Sequence, residues 1–365
     1  MKRGLHIMLN SRETYRVLVE QLETARQAHT LDRVETIIKP IPDSDVSGDL
    51  DPRVLAVIKG YAAAEPETSF DLASARASMG WPNRDVTTTD ITTDHVTIPS
   101  PDGDIPARLY RPRTEKALPA IVFFHGGGFF GGTLDTVENP CKLLAEKANA
   151  LVVSVDYRLA PEHPFPAGLN DCFRAVEWVY EQADELNVRN DRIAVAGDSA
   201  GGNLATACCL LDRAKGLNRI NYQALVYPVV NLGSIPTDDY EWKLDDYEIK
   251  HHHDLIRGVV MALGDSDGLL NHVYLQGKAE LTDPLVSPLF AEDVTGLPPA
   301  LIITAEYDYL RLEGEAYARK LARVGVKTRL IQYRGMDHAF MDKLGDFPQA
   351  EDCMIEIANG MKEMT

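Results

Sequence analysis

Ser199 lies at the centre of Gly197-Asp198-Ser199-Ala200-Gly201, between the apolar stretch Ile193 to Ala196 and a helix-like run, NLATACCLLDRAK. A strand, a turn of small residues around a serine and then a helix make up a nucleophile elbow. The turn exposes the hydroxyl at a helix N-terminus, where the macrodipole favours developing negative charge. A serine hydroxyl attacks a carbonyl only if a base takes its proton, and that base is usually a histidine oriented by a carboxylate. The chemistry to look for is therefore acyl transfer.

A second match to the same pattern, Gly264-Asp265-Ser266-Asp267-Gly268, fails the structural-context test. LIRGVVMAL precedes it with helical spacing, and two aspartates flank its serine. Ser266 reads as a loop serine after a helix.

Downstream of Ser199 the histidines are His251, His252, His253, His272 and His338. Of these, His338 in GMDHAF follows the last strand-like segment, TRLIQYRG. The acid of an α/β hydrolase comes between serine and histidine in chain order. ALIITAEYD offers Glu306 within the strand pattern and Asp308 at its exit, and placement favours Asp308. Asp308 could also serve as a helix cap ahead of LRLEGEAYARKLA.

Acyl transfer also needs amides aimed at the oxyanion. Ala200 N–H follows the nucleophile, and His125-Gly126-Gly127-Gly128-Phe129 follows the third strand. Gly127 and Gly128 are the expected donors alongside Ala200. Gly126-x-Gly128-x-x-Gly131, with Asp156 ending the next strand, also fits a dinucleotide fingerprint. That reading leaves Ser199, Asp308 and His338 unexplained.

The elements that must position these residues follow a β-rich rhythm. HVTIPSP and IPARLYRP flank Asp102-Gly103, a hairpin signal. Six further runs follow: AIVFFHG, LVVSVDY, RIAVAGD, YQALVYPVV, ALIITAEYD and TRLIQYRG. They are rich in Val, Ile, Leu and aromatics without polar alternation, as strands buried on both faces are. The expected fold is α/β, an eight-stranded, mostly parallel sheet with helices on both faces. Residues 1–90 read as an N-terminal helical cap segment and residues 91–365 as the catalytic domain. Ser11 can cap a first helix with apolar positions at Tyr15, Leu18, Val19, Leu22 and Ala25. Further helices are expected over Pro52–Ala63 and Ser69–Met79. Between YPVV and ALIITAEYD the connection is far longer than a crossover requires. That insertion, at about 231–299, is expected to pack with the N-terminal helices over the carboxyl ends of the strands.

Bulk properties narrow the partners. Lys plus Arg number 37 against 55 Asp plus Glu, for a net charge of −18 among 365 residues. Such a surface disfavours nucleic acid and anionic lipid. No window reaches the roughly 20 apolar residues of a membrane span, and the first residues carry no secretory h-region. Cys141, Cys172, Cys208, Cys209 and Cys353 are odd in number and show no C-x-x-C spacing. They read as reduced, mostly buried thiols of a cytoplasmic protein. His251-His252-His253 lacks metal-ligand spacing and reads as a solvated helix start. Asp156, Tyr157 and Glu162 read as braces for the active-site loops, and Trp81, Trp178 and Trp242 as packing residues.

With HGGGF, VVSVDYRLAPEHPFPA, GDSAGG, TAEYDYLRLEGEAYA and GMDHAF in this order, the chain resembles the bacterial hormone-sensitive-lipase-like esterases of the α/β-hydrolase superfamily from about Leu50 onward. The resemblance implies a carboxylesterase acting on small-molecule esters of short acyl chains, with Ser199, Asp308 and His338 as triad. It also implies an oxyanion hole from the HGGG glycines and Ala200, a helical cap and no cofactor. It admits a homodimer, for which no residue pattern argues. A receptor on the same fold that binds without turnover would be expected to have a broken triad. The chain departs from the family at Leu312, where an acid is common, at Tyr309 in place of proline and at Ala339 in place of glycine. Its first forty-odd residues have no recognised counterpart.

Overall fold

The computed structural model describes residues 11–25, 27–61, 71–264 and 267–363. Ser266 lies outside them. The strands are β1 (Gln27–Leu31), β2 (Val34–Lys39), β3 (Ile91–Ile98), β4 (Ile105–Pro112), β5 (Leu118–Phe124), β6 (Leu151–Val155), β7 (Val188–Asp198), β8 (Ile220–Val226), β9 (Ala300–Tyr307) and β10 (Thr328–Asp337). They form one ten-stranded sheet in the order β1-β2-β10-β9-β8-β7-β5-β6-β4-β3. β4 pairs antiparallel with β3 and β6, and the run from β6 to β2 is parallel.

The eight expected strands are all present. Apolar runs without alternation became the central strands, and all eight residues of β9 are buried. The two additional strands correct the reading of residues 1–90 as a helical cap segment. β1 and β2 form a hairpin, and β2 joins the parallel ladder against β10. Asp32 and Arg33 make the turn at φ +49° and +69°. Two consecutive left-handed residues are what a two-residue hairpin loop requires, normally supplied by Asn-Gly or Asp-Gly. Without a glycine the turn was hidden, although Val34, Thr36, Ile37 and Ile38 carried the β-branched signal.

The other N-terminal elements are helical. α1 (Ser11–Thr24) buries Tyr15, Leu18, Val19 and Leu22, while Ala25 lies beyond it and is exposed. α2 (Pro52–Tyr61) and α3 (Leu72–Ser78) follow, the latter capped by Asp71, whose carboxylate accepts from Ser74 N at 2.8 Å. Ser69 and Ala63 lie outside the described residues.

Helices cover both faces of the sheet. α4 (Glu138–Ala148) and α10 (Pro348–Glu363) pack together, with α1 against α10. α5 (Ala167–Glu181) and α6 (Ala200–Ala214) pack together, and Thr206 of α6 hydrogen-bonds Tyr317 of α9 (Arg311–Arg323) at 2.8 Å. Lys39, fully buried at the end of β2, ties the hairpin to this framework. Its ammonium reaches Asp352 at 2.8 Å, Glu356 at 2.6 Å and the Leu22 carbonyl at 2.9 Å.

The long β8–β9 connection carries α7 (His253–Met261) and α8 (Asp267–Leu270). It meets the N-terminal segment, where Gly48 O accepts from Lys250 N and His251 N, and His252 bonds Asp49 at 2.8 Å. The histidine run is thus the start of α7, as expected. Trp242 stacks on Tyr309 with ring centroids 4.8 Å apart, and Trp81 donates to Asp346 at 2.9 Å, both as packing residues.

Candidate active site

β7 ends at Asp198 and α6 begins at Ala200, so Ser199 alone makes the turn, at φ +54° and ψ −117°. A serine in that region is strained by about 1–3 kcal/mol, a cost the surrounding structure must offset. The offset is visible in the packing. Ser199 N donates to Val226 O at 2.9 Å, and a Cβ on Gly201 would sit 1.9 Å from Phe124 O. Only glycine allows the helix to start this close to β5.

The parallel strands deliver the partners to the same sheet end. Asp308 leaves β9 and His338 leaves β10. His338 Nε2 lies 3.0 Å from Ser199 Oγ, and His338 Nδ1 lies 2.7 Å from Asp308 Oδ2. Asp308 is buried, and its other oxygen accepts from Leu310 N at 3.0 Å. The carboxylate therefore holds the imidazole with one oxygen and shapes the loop before α9 with the other. Glu306, the less favoured alternative, accepts from Gly335 N at 2.8 Å, where the register between β9 and β10 shifts. Burial disfavours the His338 imidazolium, but Asp308 foremost, with Asp198 and Asp337, outweighs it and raises the imidazole above its ordinary range.

The glycine loop closes the site from the β5 side. Gly127 is at φ +123°, and a Cβ there would meet Gly131 O at 2.2 Å. Its carbonyl accepts from Phe130 N and Gly131 N, while among the described residues neither Gly127 N nor Gly128 N donates within the chain. Ala200 N stands in the first turn of α6, where amides lack helical partners. The loop is braced from behind: Tyr157 donates to His125 O at 2.7 Å and stacks on its ring. Arg76 of α3 donates to Phe130 O at 2.6 Å and to both oxygens of Glu162 at 2.8 and 2.6 Å. Helix α4 starts only at Glu138, well past Gly131. A dinucleotide fingerprint needs the helix to open directly on the glycines, so that reading fails on geometry.

Ser199, His338 and Gly126 to Gly128 line one cavity of about 340 Å³, with Met79, Leu263, Leu269 and Leu270 on its apolar wall. Leu270 Cδ2 lies over Gly128, at 3.5 Å from where a Cβ would be. Ala339, beside His338, adopts φ +58°, which explains the family's preference for glycine there. The departures at Leu312 and Tyr309 fill buried positions. Sequence reading missed Asp198 and Asp342 as cavity residues, Arg76 as the loop brace and Tyr247, which donates to Asp308 O at 2.8 Å. None sits in a periodic pattern. Only the repeated acid between strand and nucleophile, Asp198 in GDSAGG, was available as a signal.

Known proteins agree with this architecture. The profile of the alpha/beta hydrolase fold family matches residues 121–342. The chain is 37% identical over 280 residues to the carboxylic ester hydrolase LipN of Mycobacterium tuberculosis, covering 74% of this chain and 71% of that one. It is 38% identical over 242 residues to an arylesterase of Saccharolobus solfataricus, covering 66% and 74%. An esterase structure from Pyrobaculum calidifontis superposes with a TM-score of 0.73 at 36% identity, covering 86% of this chain and 99% of that one. The fold and the site thus define an α/β hydrolase. The chain belongs to the hormone-sensitive-lipase-like branch of that family and is a carboxylic ester hydrolase.

Proposed function

We propose that the protein hydrolyses esters of short acyl chains in two steps through Ser199, His338 and Asp308. The observation that carries this reading is the unbroken relay of 3.0 Å and 2.7 Å from serine to imidazole to buried carboxylate, opening on a cavity. His338 takes the Ser199 proton as the hydroxyl attacks the ester carbonyl. The amides of Gly127, Gly128 and Ala200 hold the tetrahedral oxyanion, each worth roughly 2.7–4 kcal/mol. Asp308 keeps Nδ1 protonated and stabilises the imidazolium. His338 then protonates the leaving alcohol, and water repeats the sequence against the acyl-enzyme.

The short-acyl preference is supported by the size of the cavity and by the leucines that limit it. The β8–β9 connection supplies Leu263, Leu269 and Leu270 to the cavity wall and the end of α3 supplies Met79, which supports a cap drawn from these segments, whereas β1 and β2 belong to the sheet. A reducing, cytoplasmic setting is supported by five buried cysteines, all unpaired. Turnover of p-nitrophenyl acetate and butyrate by wild type, with Ser199→Ala slower by on the order of 10⁶ in kcat, is the expected result. Turnover that survives Ser199→Ala would overturn the assignment.

A further inference from the structure

Two carboxyl groups that take no part in the proton relay face the same cavity. Asp198 is 4% exposed, and its Oδ1 accepts from Gly126 N at 2.8 Å. Asp342, half-buried in the turn Phe340–Lys343 after His338, lines the cavity with it. The neighbouring Lys343 ammonium lies outside the cavity wall, bonds Ala339 O at 3.3 Å and lies 3.9 Å from Asp337, and its charge favours the ionised form of Asp342. Among the described residues no lysine or arginine lines the cavity, and the rest of its wall is largely glycine, leucine, valine and other apolar side chains.

We propose that Asp342, backed by Asp198, makes the cavity select uncharged and cationic esters and reject esters that carry a carboxylate. The inference rests on the ester-hydrolase reading of the cavity and names the charge class of its substrate. A second anion brought into an apolar space lined by carboxyls meets repulsion with no lysine or arginine in the wall to pair with it, and it loses its hydration. Burial pushes both acids up, and their mutual repulsion raises Asp198 further. Lys343 and His338 oppose the effect of burial on Asp342, so of the two acids Asp342 holds negative charge the more readily.

Two matched pairs of probes test this. Mono-p-nitrophenyl succinate and its methyl ester place the charge on the acyl side. The acetate esters of p-hydroxybenzoate and of methyl p-hydroxybenzoate place it on the alcohol side. Comparing the anionic-to-neutral ratio of kcat/KM between wild type and Asp342→Asn cancels the intrinsic reactivities. In at least one pair, wild type should disfavour the anion and Asp342→Asn should raise the ratio about tenfold, by loss of a charge repulsion at short range. Asp342→Glu should keep the wild-type ratio. If Asp342→Asn turns over neither member, Asp342→Ser is read in the same way. An unchanged ratio in both pairs, with neutral esters still hydrolysed, overturns this proposal alone. Failure of wild type on every neutral ester overturns the ester-hydrolase reading beneath it.

Discussion

In the proposed mechanism His338 carries the pH dependence of the site. Its imidazole must be neutral to accept the Ser199 proton, and Asp308 raises it above the ordinary value near 6.5. Activity is therefore lost as pH falls through that raised value. The acid limb of kcat/KM should lie above 6.5, read from a pH profile on p-nitrophenyl butyrate. Asp308→Asn should lower kcat by about 10⁴ and move the limb downward, because it removes the main group holding the imidazolium. A limb that stays in place would separate Asp308 from His338. These candidate residues could be placed from the sequence because chemistry restricts their order: serine first, then an acid at one strand exit, then a histidine at the next. Glu306 and Asp308 were separable by position alone, as a residue inside β9 faces its neighbours in the sheet while the residue just past its end reaches the site. Asp342 was not legible. It gains its place from a short turn whose direction no spacing encodes.

Elements hold these side chains from outside the sheet. Tyr247, in the insertion, donates to Asp308 O at 2.8 Å, and its ring lies under Arg311 at 4.2 Å. The Tyr247 hydroxyl thus fixes the turn that presents the acid. Tyr247→Phe keeps the packing and removes that bond. It should lower kcat several-fold with KM little changed, in steady-state assays on a neutral ester; an unchanged kcat would leave Tyr247 as filler. The central strands were readable because burial on both faces writes itself as unbroken apolar runs. The β1–β2 hairpin was not, because Asp32-Arg33 takes the left-handed turn without the glycine that normally marks it. The insertion was visible only as excess length. Its contacts to the acid turn run through single side chains, Trp242 and Tyr247, which sequence cannot pair with Tyr309 and Asp308.

Across the whole molecule, stability depends on joining the unfamiliar N-terminal segment to the hydrolase frame. Lys39 does this from a fully buried position between Asp352 and Glu356, and Tyr333 donates to Asp352 at 2.7 Å. Lys39→Met would leave two buried carboxylates without their cation. The expected loss is about 3–5 kcal/mol, seen as a lower urea midpoint, with ester turnover retained in the folded fraction. A midpoint equal to wild type would show that the hairpin is not coupled to α10. The chain's net charge of −18 adds a long-range field that, like the proposed cavity acids, disfavours anions.

Trapping of the acyl-enzyme tests the central claim most directly. Rapid acid quench of the enzyme with p-nitrophenyl acetate, followed by peptide mass spectrometry, should find one acetyl group on the peptide containing Ser199 and none in Ser199→Ala. An acetyl group on Ser266 instead, or full hydrolysis by Ser199→Ala with no adduct, would contradict the assignment of Ser199 as the nucleophile.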